Sequence, residues 1–413
     1  MEYADLHIHS HYSRATSKKM NPLELPKAAK EKGLTILGTG DFTHPKYYEE
    51  LKEGLGEIGP DGFYHKEGIK FVSTSEISLM YSQGGKGRRI HLVLILPDLE
   101  AVAQLNSELA KWGRLDYDGR PIFNRTGPEV IELVRSVTKD AEVVPAHVWT
   151  PWFGTFGSMS GFDSLKEAFG DQAQYIHAVE TGLSSDPEMN WMLSQLDGIN
   201  LVSFSDAHSP YSFRLGREAT VFNVTSYKEM INAVRTGKGL VSTVEVDPSY
   251  GKYHYDGHRN CGVSMTPEEA EKHNNICPVC GKPLTIGVMH RVLELADRSY
   301  GYKPENAKDF KRVVPLAELI AAAERMGVGS QSVFRKTARL ISLFGSEFNV
   351  LFNTPYDELE KELGDKTASL IIMNREESIR IRPGYDGVYG EIILPEDNSE
   401  KLSEPQTKLG KFL

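Results

Sequence analysis

Short apolar runs rich in β-branched residues alternate with amphipathic stretches from residue 1 to about residue 240. The runs have the length of buried strands, and the stretches between them have the period of helices. The strand-like runs are Tyr3 to His7, Leu34 to Leu37, Ile69 to Ser73, Ile90 to Leu96, Glu142 to Pro145 and Asn200 to Phe204. Repeated βαβ units of this kind predict an α/β fold, in which a parallel sheet or a closed barrel carries its helices outside.

The first βαβ unit has clear helix boundaries. In NPLELPKAAKEKG, which separates the first two runs, Asn21 can cap a helix, Pro22 suits the first turn and Gly33 suits the exit. The segment therefore predicts one helix between two parallel strands.

The pattern changes near residue 245. A polar, aromatic segment is followed by a cysteine-containing stretch, and residues from about 300 to 390 are mostly helical in pattern. Leu316, Ile320, Leu340 and Leu343 supply apolar helix faces there, and the last residues are polar and charged, which favours disorder. We therefore predict four parts: an α/β domain over 1–244, a cysteine-containing module over 245–299, a mostly helical domain over 300–390 and a flexible tail over 391–413.

Composition indicates a soluble protein, with 40% hydrophobic and 25% charged residues. No run approaches the roughly 20 apolar residues that cross a bilayer, and the start, MEYADLHIHSHYS, has no export signal. We expect a cytoplasmic protein without a membrane partner. The net charge of −10 argues against nucleic-acid binding by charge alone, although bound cations reverse the local sign of a carboxylate-rich site.

Imidazole and carboxyl groups recur where the predicted strands end. In α/β barrels this rim carries the active site, whereas polar groups without a shared function are scattered over the helices. The candidate metal ligands are His7, His9, Asp41, Glu76, His91, His147, Asp206 and His208. His91 lies near the start of its run, but strand alternation can still turn it inward.

The same residues resemble the motifs of the polymerase and histidinol phosphatase (PHP) superfamily, in the family's order. These motifs are Asp5-Leu6-His7-Ile8-His9-Ser10, Gly38-Thr39-Gly40-Asp41, Ser75-Glu76-Ile77, His91-Leu92-Val93, Pro145-Ala146-His147 and Ser205-Asp206-Ala207-His208. The resemblance implies a distorted (β/α)7 barrel that holds two or three divalent ions, zinc, manganese or magnesium, and hydrolyses phosphate esters.

The resemblance also implies a division of the ligands. His7, His9, Glu76 and Asp206 would hold one ion, His91 and His147 would hold a second with Glu76 as the bridge, and His208 would belong to a third. The chain departs from trinuclear members because Arg14 and Ala15 stand where a histidine is expected, and Phe42 follows Asp41. Either Asp41 completes a weaker third site or only two ions bind.

Bound metals make the expected chemistry straightforward. Paired ions lower the pKa of a bound water and stabilise charge on the attacking and leaving oxygens of an in-line displacement. Among the ligands, Asp206 is the one whose loss we expect to reduce activity most. Arg14 can steady a substrate phosphate by a bidentate contact, or it is an ordinary surface charge.

A second metal site is predicted by two short chelating pairs. His258-x-x-Cys261 is followed after about fifteen residues by Cys277-x-x-Cys280, a spacing typical of a closed, tetrahedral structural zinc site. Three rivals for the fourth ligand position remain, namely His254, His273 and His290.

Within the PHP superfamily the chain resembles the endonuclease Q family over nearly its whole length. The resemblance is carried by GKYHYDGHRNCG, by NICPVCGKPLTIGVMHRVLELADR and by RPGYDGVYGE. It implies cleavage of damaged DNA on the 5′ side of a deaminated base (uracil, hypoxanthine or xanthine) or an abasic site, with a DNA-binding role for the helical domain over 300–390. Two alternatives remain open: a phosphatase for a small phosphate monoester, and a DNA-binding scaffold with an inactive metal site.

The chain ends in a peptide that resembles those with which repair enzymes bind sliding clamps. Its candidate contact residues are Gln406, Leu409, Phe412 and Leu413. Short disordered peptides of this kind order on binding and insert apolar anchors into a pocket. The alternative is a C-terminus that docks on its own domain.

Overall fold

The computed structural model of the chain describes residues 1–394 and 397. Within this range the strands are β1 (Glu2–Asp5), β2 (Ile36–Gly38), β3 (Tyr64–Lys66), β4 (Ile69–Gln83), β5 (Lys86–Leu96), β6 (Ile122–Phe123), β7 (Glu142–Pro145), β8 (Ala178–Glu180), β9 (Asn200–Val202), β10 (Ala219–Phe222), β11 (Leu240–Glu245), β12 (Asp256–His258), β13 (Val263–Met265), β14 (Asp309–Arg312), β15 (Arg380–Arg382) and β16 (Glu391–Ile393). The helices are α1 (Leu25–Lys32), α2 (Pro45–Leu55), α3 (Leu99–Leu109), α4 (Gly127–Val137), α5 (Leu165–Phe169), α6 (Pro187–Asn190), α7 (Tyr227–Thr236), α8 (Pro267–Lys272), α9 (Val288–Leu295), α10 (Leu316–Ala323), α11 (Gln331–Phe344), α12 (Glu347–Phe352), α13 (Tyr356–Leu363) and α14 (Asp365–Arg375).

The chain divides into two compact units. The barrel unit comprises residues 1–182, 198–244 and 308–310, and the C-terminal unit comprises 183–197, 245–307 and the described residues from 311 onward. No helix in the described residues is both long enough and apolar enough to span a membrane.

Seven strands form the barrel. Strands β1, β2 and β4 pair in parallel, whereas β5 is antiparallel to both of its neighbours, β4 and β7. The ring continues from β7 to the parallel pair β8 and β9, because Val148 donates a backbone hydrogen bond to Glu180 at 3.1 Å. A parallel bridge between Ile8 and Ala207 joins the segments that follow β1 and β9 and closes the ring, while β1 itself also pairs antiparallel with β10. The predicted distorted seven-stranded barrel is confirmed, and the reversed β5 is one source of its distortion.

One expectation about the strands is wrong. The run predicted to end at Ser73 continues to Gln83, and it forms a long hairpin with β5, which begins at Lys86. Glu76 therefore lies within a strand and not at a strand exit. In the serine-rich sequence after Phe71, the backbone groups are paired across the hairpin and the side chains are buried.

Helix α1 ends as predicted and begins later than predicted. Gly33 has a φ of +102°, and its N–H bonds back to the carbonyls of Ala29 and Lys30, so a residue without a Cβ is favoured at this exit. Asn21 accepts hydrogen bonds from the backbone N–H of Leu23 and Glu24, which closes the turn before the helix. The helix between β1 and β2 is therefore shorter than the pattern predicted.

The core of the barrel unit joins strand residues to an outer helix. Leu6, Ile36 and Val72 belong to the same buried cluster as Ile231 and Val234 of α7. Burying an aliphatic side chain of this size contributes about 1.5–3 kcal/mol. The cluster therefore holds the strands in the register that aligns their ends.

The C-terminal unit is mostly helical between residues 316 and 375, as predicted. Leu316, Ile320 and Leu340 are buried, but Leu343, predicted to lie on an apolar face, is 52% exposed. Before this region lies the antiparallel pair β12 and β13, and after it the antiparallel pair β15 and β16.

Candidate metal centre

Two histidines follow β1 at alternate positions. Because alternate side chains of an extended segment share a side, His7 and His9 can reach one place, and both are buried. Between them, Ile8 makes a parallel bridge with Ala207. This pairing brings the segment after β9 beside the end of β1.

Asp5 fixes the segment that carries Asp206. Its buried carboxylate accepts hydrogen bonds from the backbone N–H of Ser205 at 3.0 Å, from the Ser205 hydroxyl at 2.5 Å and from the Gly216 N–H at 2.9 Å. Burial raises the pKa of Asp5 to about 6, and the hydrogen bonds offset part of that effect. Asp206 directly follows the fixed residue Ser205, and its Oδ1 lies 3.0 Å from Nε2 of His9.

Glu76 lies at the centre of the site. It is opposite Val93 on the hairpin, and His91, two residues away on β5, places Nδ1 2.6 Å from its Oε1. His147, two residues after β7, places Nε2 3.1 Å from the same oxygen. Oε2 lies 3.3 Å from Nε2 of His9. One carboxylate therefore contacts three imidazoles, one within β5 and two that follow β1 and β7.

The metal-ligating atoms form two groups that share Glu76. Within each group, one donor atom from every residue lies within 4.8 Å of all the others. The groups are His7, His9, Glu76 and Asp206, and Glu76, His91 and His147. The structure thus brings together six of the eight barrel residues predicted as ligands.

The residues fit divalent metal ions. His7 Nε2 is buried and has no hydrogen-bond partner among the described residues, although Glu76 and Asp206 oxygens lie 3.6 and 3.7 Å away. A buried polar atom without a partner is costly unless an ion uses its lone pair. Imidazole nitrogen combined with carboxylate oxygen is the donor set of zinc, manganese and iron sites. The barrel and its donor groups therefore support divalent metals.

Buried carboxylates hold the histidines from behind. His7 Nδ1 lies 2.9 Å from Oε1 of Glu180, and His9 Nδ1 lies 3.0 Å from Oδ1 of Asp41. Glu180 also accepts a hydrogen bond from the backbone N–H of His147 at 2.7 Å. Such partners fix the ring orientation and the tautomer of a ligand, and they raise its basicity.

Asp41 and His208 belong to neither donor group in the described part of the chain. Oδ2 of Asp41 accepts hydrogen bonds from the N–H and hydroxyl of Ser10 at 2.5 and 2.7 Å, and from the Ser13 hydroxyl at 2.8 Å. The ring of His208 packs against the ring of His9, with 4.4 Å between centroids. The third ion stays a prediction.

Three of the predicted site residues have a strained backbone. The φ angles of Asp41, His147 and Asp206 are +42°, +30° and +49°. Each non-glycine residue in this region costs on the order of 1–3 kcal/mol and persists where its surroundings fix it, which is typical of functional sites.

The charge states of Glu76, Asp206 and His91 suit metal ligation, whereas neighbouring carboxylates raise the pKa of His7 and His9 despite their burial, so a bound ion would have to displace their protons. Burial disfavours the charged form of Glu76, but the charges of neighbouring groups, Arg120 among them, hold its pKa well below the usual range. Burial also opposes ionisation of Asp206, and the hydrogen bond with His9 helps to keep that pKa well below its usual range. Burial lowers the pKa of His91 to about 4, which the neighbouring Glu76 offsets only in part, so this ring is neutral at pH 7.

The sequence singled out Arg14, but two residues that it did not single out, Arg120 and Glu180, contact the ligands. The Arg14 side chain is 85% exposed and pairs with Asp118 at 3.4 Å. Instead, Arg120 places Nη1 2.9 Å from Oε2 of Glu76. Glu180 carried a usable signal, since it ends a short apolar run; Arg120 lies in a loop and carried none.

The second set of metal-ligating residues also converges, in the C-terminal unit. The donor atoms of His258, Cys261, Cys277 and Cys280 lie within 4.8 Å of one another. None of the three cysteines is in a disulfide, and the local buried cluster is small, with Ala270 and Cys277 among its members. A module with so little core would gain much of its stability from a bound ion.

The three rival histidines lie outside this group. His290 Nδ1 bonds to the buried carboxylate of Asp256 at 2.6 Å, His254 is half-buried, and His273 is exposed. The geometry favours His258 as the fourth ligand. The tail residues Gln406, Leu409, Phe412 and Leu413 lie outside the described residues.

Comparison with solved structures gives two matches along almost the full chain. The lesion-specific endonuclease PfuEndoQ from Pyrococcus furiosus is 34% identical, with a TM-score of 0.84, covering 100% of this chain and 99% of that one. A structure of Endonuclease Q in complex with a 27-mer duplex substrate, with an abasic lesion at the active site, is 35% identical with a TM-score of 0.85. That match covers 97% of this chain and 98% of the other.

Comparison with known sequences gives a partial match as well. A family model described as the MJ0043 C-terminal domain matches residues 315–378. The uncharacterized protein MJ0043 of Methanocaldococcus jannaschii is 32% identical over 310 residues, which are 73% of this chain and 38% of that protein. The chain therefore spans well under half the length of this relative.

Proposed function

The chain belongs to the endonuclease Q family, and from this premise we propose that it is an endonuclease that cuts damaged DNA beside a lesion. The bond it hydrolyses is the phosphodiester on the 5′ side of an abasic site or of a deaminated base, uracil, hypoxanthine or xanthine. The observation that carries the proposal is the convergence of two metal-ligating groups on Glu76, in a chain similar from end to end to a lesion-specific endonuclease.

The catalytic centre of this proposal holds two divalent ions, of zinc, manganese or magnesium. His7, His9, Glu76 and Asp206 would hold the first, and Glu76, His91 and His147 would hold the second. When bound, such ions lower the pKa of a water and stabilise charge on the attacking and leaving oxygens. The protein contributes rigid ligands, because Glu180 and Asp41 fix the rings of His7 and His9 from behind.

The exposure of the side chains supports an approach of the substrate from one side. Glu76, His7 and His9 are almost completely buried, whereas the side chains of Asp206 and Arg120 are each 31% exposed. A phosphodiester would therefore meet Asp206 and Arg120 first. The buried ligands limit the access of bulk water to the other side of the ions.

Two further proposals concern parts outside the barrel. His258, Cys261, Cys277 and Cys280 would bind one structural zinc ion, since three thiols and an imidazole within 4.8 Å suit a closed tetrahedral site. Gln406, Leu409, Phe412 and Leu413 would tether the enzyme to a sliding clamp.

The proposal is tested with end-labelled duplexes that are identical except for one position, which is an abasic site, uracil, hypoxanthine, xanthine or the normal base. The purified protein is stripped of metal and then assayed with Zn²⁺, Mn²⁺ or Mg²⁺. We expect one nick, directly 5′ of the lesion, in the damaged strand only and only with metal present. Equal cutting of the normal duplex, or phosphate release from small monoesters without any nick, would overturn the proposal and favour the alternative of a phosphatase.

A further inference from the structure

Arg120 is the cation closest to the bridging carboxylate. It lies in the loop of residues 110–121 between α3 and β6, and its Nη1 donates to Oε2 of Glu76 at 2.9 Å. Its side chain is 31% exposed, while the side chain of Glu76 is fully buried. The guanidinium therefore extends from the buried ligand toward the accessible side of the site.

The backbone of this loop is fixed against the metal centre. Gly119 donates its N–H to the carbonyl of Tyr12 at 3.1 Å, and its own carbonyl accepts from the Thr43 hydroxyl at 3.1 Å. A Cβ at position 119 would lie 2.2 Å from Oδ2 of Asp41, a distance that no real contact allows. Only glycine lets the loop lie this close to Asp41. This close approach places the next residue, Arg120, within hydrogen-bond distance of Glu76.

Most of the hydrogen-bonding capacity of the guanidinium is unused. Among the described residues, Glu76 is the only acceptor for the Arg120 side chain, which leaves donors on Nε and Nη2. The accessible side of the site is also lined by Asp206 and His208, whose side chains are 31% and 35% exposed. Of Arg120, Asp206 and His208, Arg120 is the residue whose free N–H donors can bind an anion.

We infer that Arg120 is a catalytic residue that binds a non-bridging oxygen of the scissile phosphate. The inference rests on the proposed function and deepens it. A guanidinium presents a rigid fork of donors that matches phosphate geometry, and it stays charged at any working pH. We assign to Arg120 the phosphate contact that the sequence suggested for Arg14, whose side chain is 85% exposed and pairs with Asp118.

A purely structural role makes a different prediction. If Arg120 served only to hold Glu76, its replacement would disturb the ligand and lower the metal content. If Arg120 binds phosphate, the metals remain, while affinity for a phosphate anion and the rate of cleavage both fall. Metal content and phosphate affinity therefore separate the two roles without any DNA substrate.

The experiment compares the full-length wild type with Arg120→Gln and Arg120→Lys. Arg114→Gln is the matched control, because Arg114 lies in the same loop, is 75% exposed and pairs with Asp116. Each protein is loaded with Mn²⁺. Bound metal is measured by mass spectrometry, affinity for inorganic phosphate by calorimetry, and cleavage of the abasic duplex under single-turnover conditions.

We expect Arg120→Gln to keep its metal, to bind phosphate at least about 10-fold more weakly and to cleave roughly 10²–10³-fold more slowly, the usual cost of removing one such donor. The phosphate affinity and the cleavage rate of Arg120→Lys should lie between those of the wild type and Arg120→Gln, because lysine keeps the positive charge but lacks the paired donors of a guanidinium. Unchanged phosphate affinity, or loss of metal in both variants, would overturn the inference. If the wild type bound phosphate but cut no duplex, the proposed function would be refuted instead. The difference in phosphate affinity between the wild type and the Arg120 variants would still test the role of Arg120.

Discussion

Glu180 offers a sharp test of how the metal centre is built. It ends β8 and is fully buried, and its carboxylate lies 2.9 and 3.0 Å from His7 Nδ1 and accepts from the His147 N–H at 2.7 Å. One acidic group thus positions two ligands that belong to different donor groups. Glu180→Gln keeps the size of the side chain but leaves one acceptor oxygen for two donors, and Glu180→Ala leaves none.

The magnitudes follow from these contacts. A buried donor that loses its acceptor costs about 1–3 kcal/mol, so we expect Glu180→Gln to lower the free energy of unfolding by about 1–3 kcal/mol and Glu180→Ala by about 2–6 kcal/mol. Loss of a carboxylate behind a ligating histidine lowers metal affinity by roughly 10- to 100-fold. Both variants should therefore bind metal more weakly, through the orientation of His7.

The assay is competition between the full-length protein and a fluorescent chelator for Zn²⁺, paired with denaturant unfolding of the metal-free protein. Glu49→Gln is the control, since Glu49 is 61% exposed and pairs only with Lys52 in the described residues. Its affinity and stability should match the wild type. If Glu180→Gln and Glu180→Ala bound Zn²⁺ as tightly as the wild type, the role assigned to Glu180 would be wrong.

Three further outcomes are expected. Asp206→Asn should lower cleavage by roughly 10³-fold while folding and binding of lesion-containing DNA persist, as gel shifts and circular dichroism would show; near-normal cleavage would mean that the centre is misplaced. Cys277→Ser should release one zinc ion per chain and make the surrounding module sensitive to protease, whereas Ser264→Ala, an exposed change nearby, should do neither; a zinc content equal to the wild type would contradict the structural site. Truncation before Gln406 should leave intrinsic cleavage unchanged and abolish stimulation by a sliding clamp, and an undiminished clamp response would discard the tail proposal.

The parts that sequence predicted well share one physical origin. Buried parallel strands are short apolar runs, and the residues that follow them meet at one rim of the barrel. The sequence alone could therefore group His7, His147 and Asp206. The α/β pattern of the first 240 residues and the helical region after residue 300 were predicted for the same reason, whereas the (β/α)7 barrel was predicted only from the resemblance to the PHP superfamily.

The parts that sequence missed depend on contacts between segments. Glu76 was expected at a strand exit because the predicted run ends at Ser73, yet pairing with β5 continues the strand to Gln83. Strand β8 was overlooked because it has only three residues, and Glu180 was overlooked with it. Arg120 has no local signature, since its place depends on the close approach of Gly119 to Asp41.

Asp41 shows why a ligand and the residue behind a ligand look alike in a sequence. Both are carboxylates after a buried strand, and the difference lies in what surrounds them. Here three donors from Ser10 and Ser13 converge on Oδ2, and His9 Nδ1 lies against Oδ1, so each carboxylate oxygen already has a partner. A third ion at Asp41 would have to displace these hydrogen bonds in a buried site, where each unpaired donor costs about 1–3 kcal/mol. We therefore expect two bound ions per barrel, with Asp41 acting through His9.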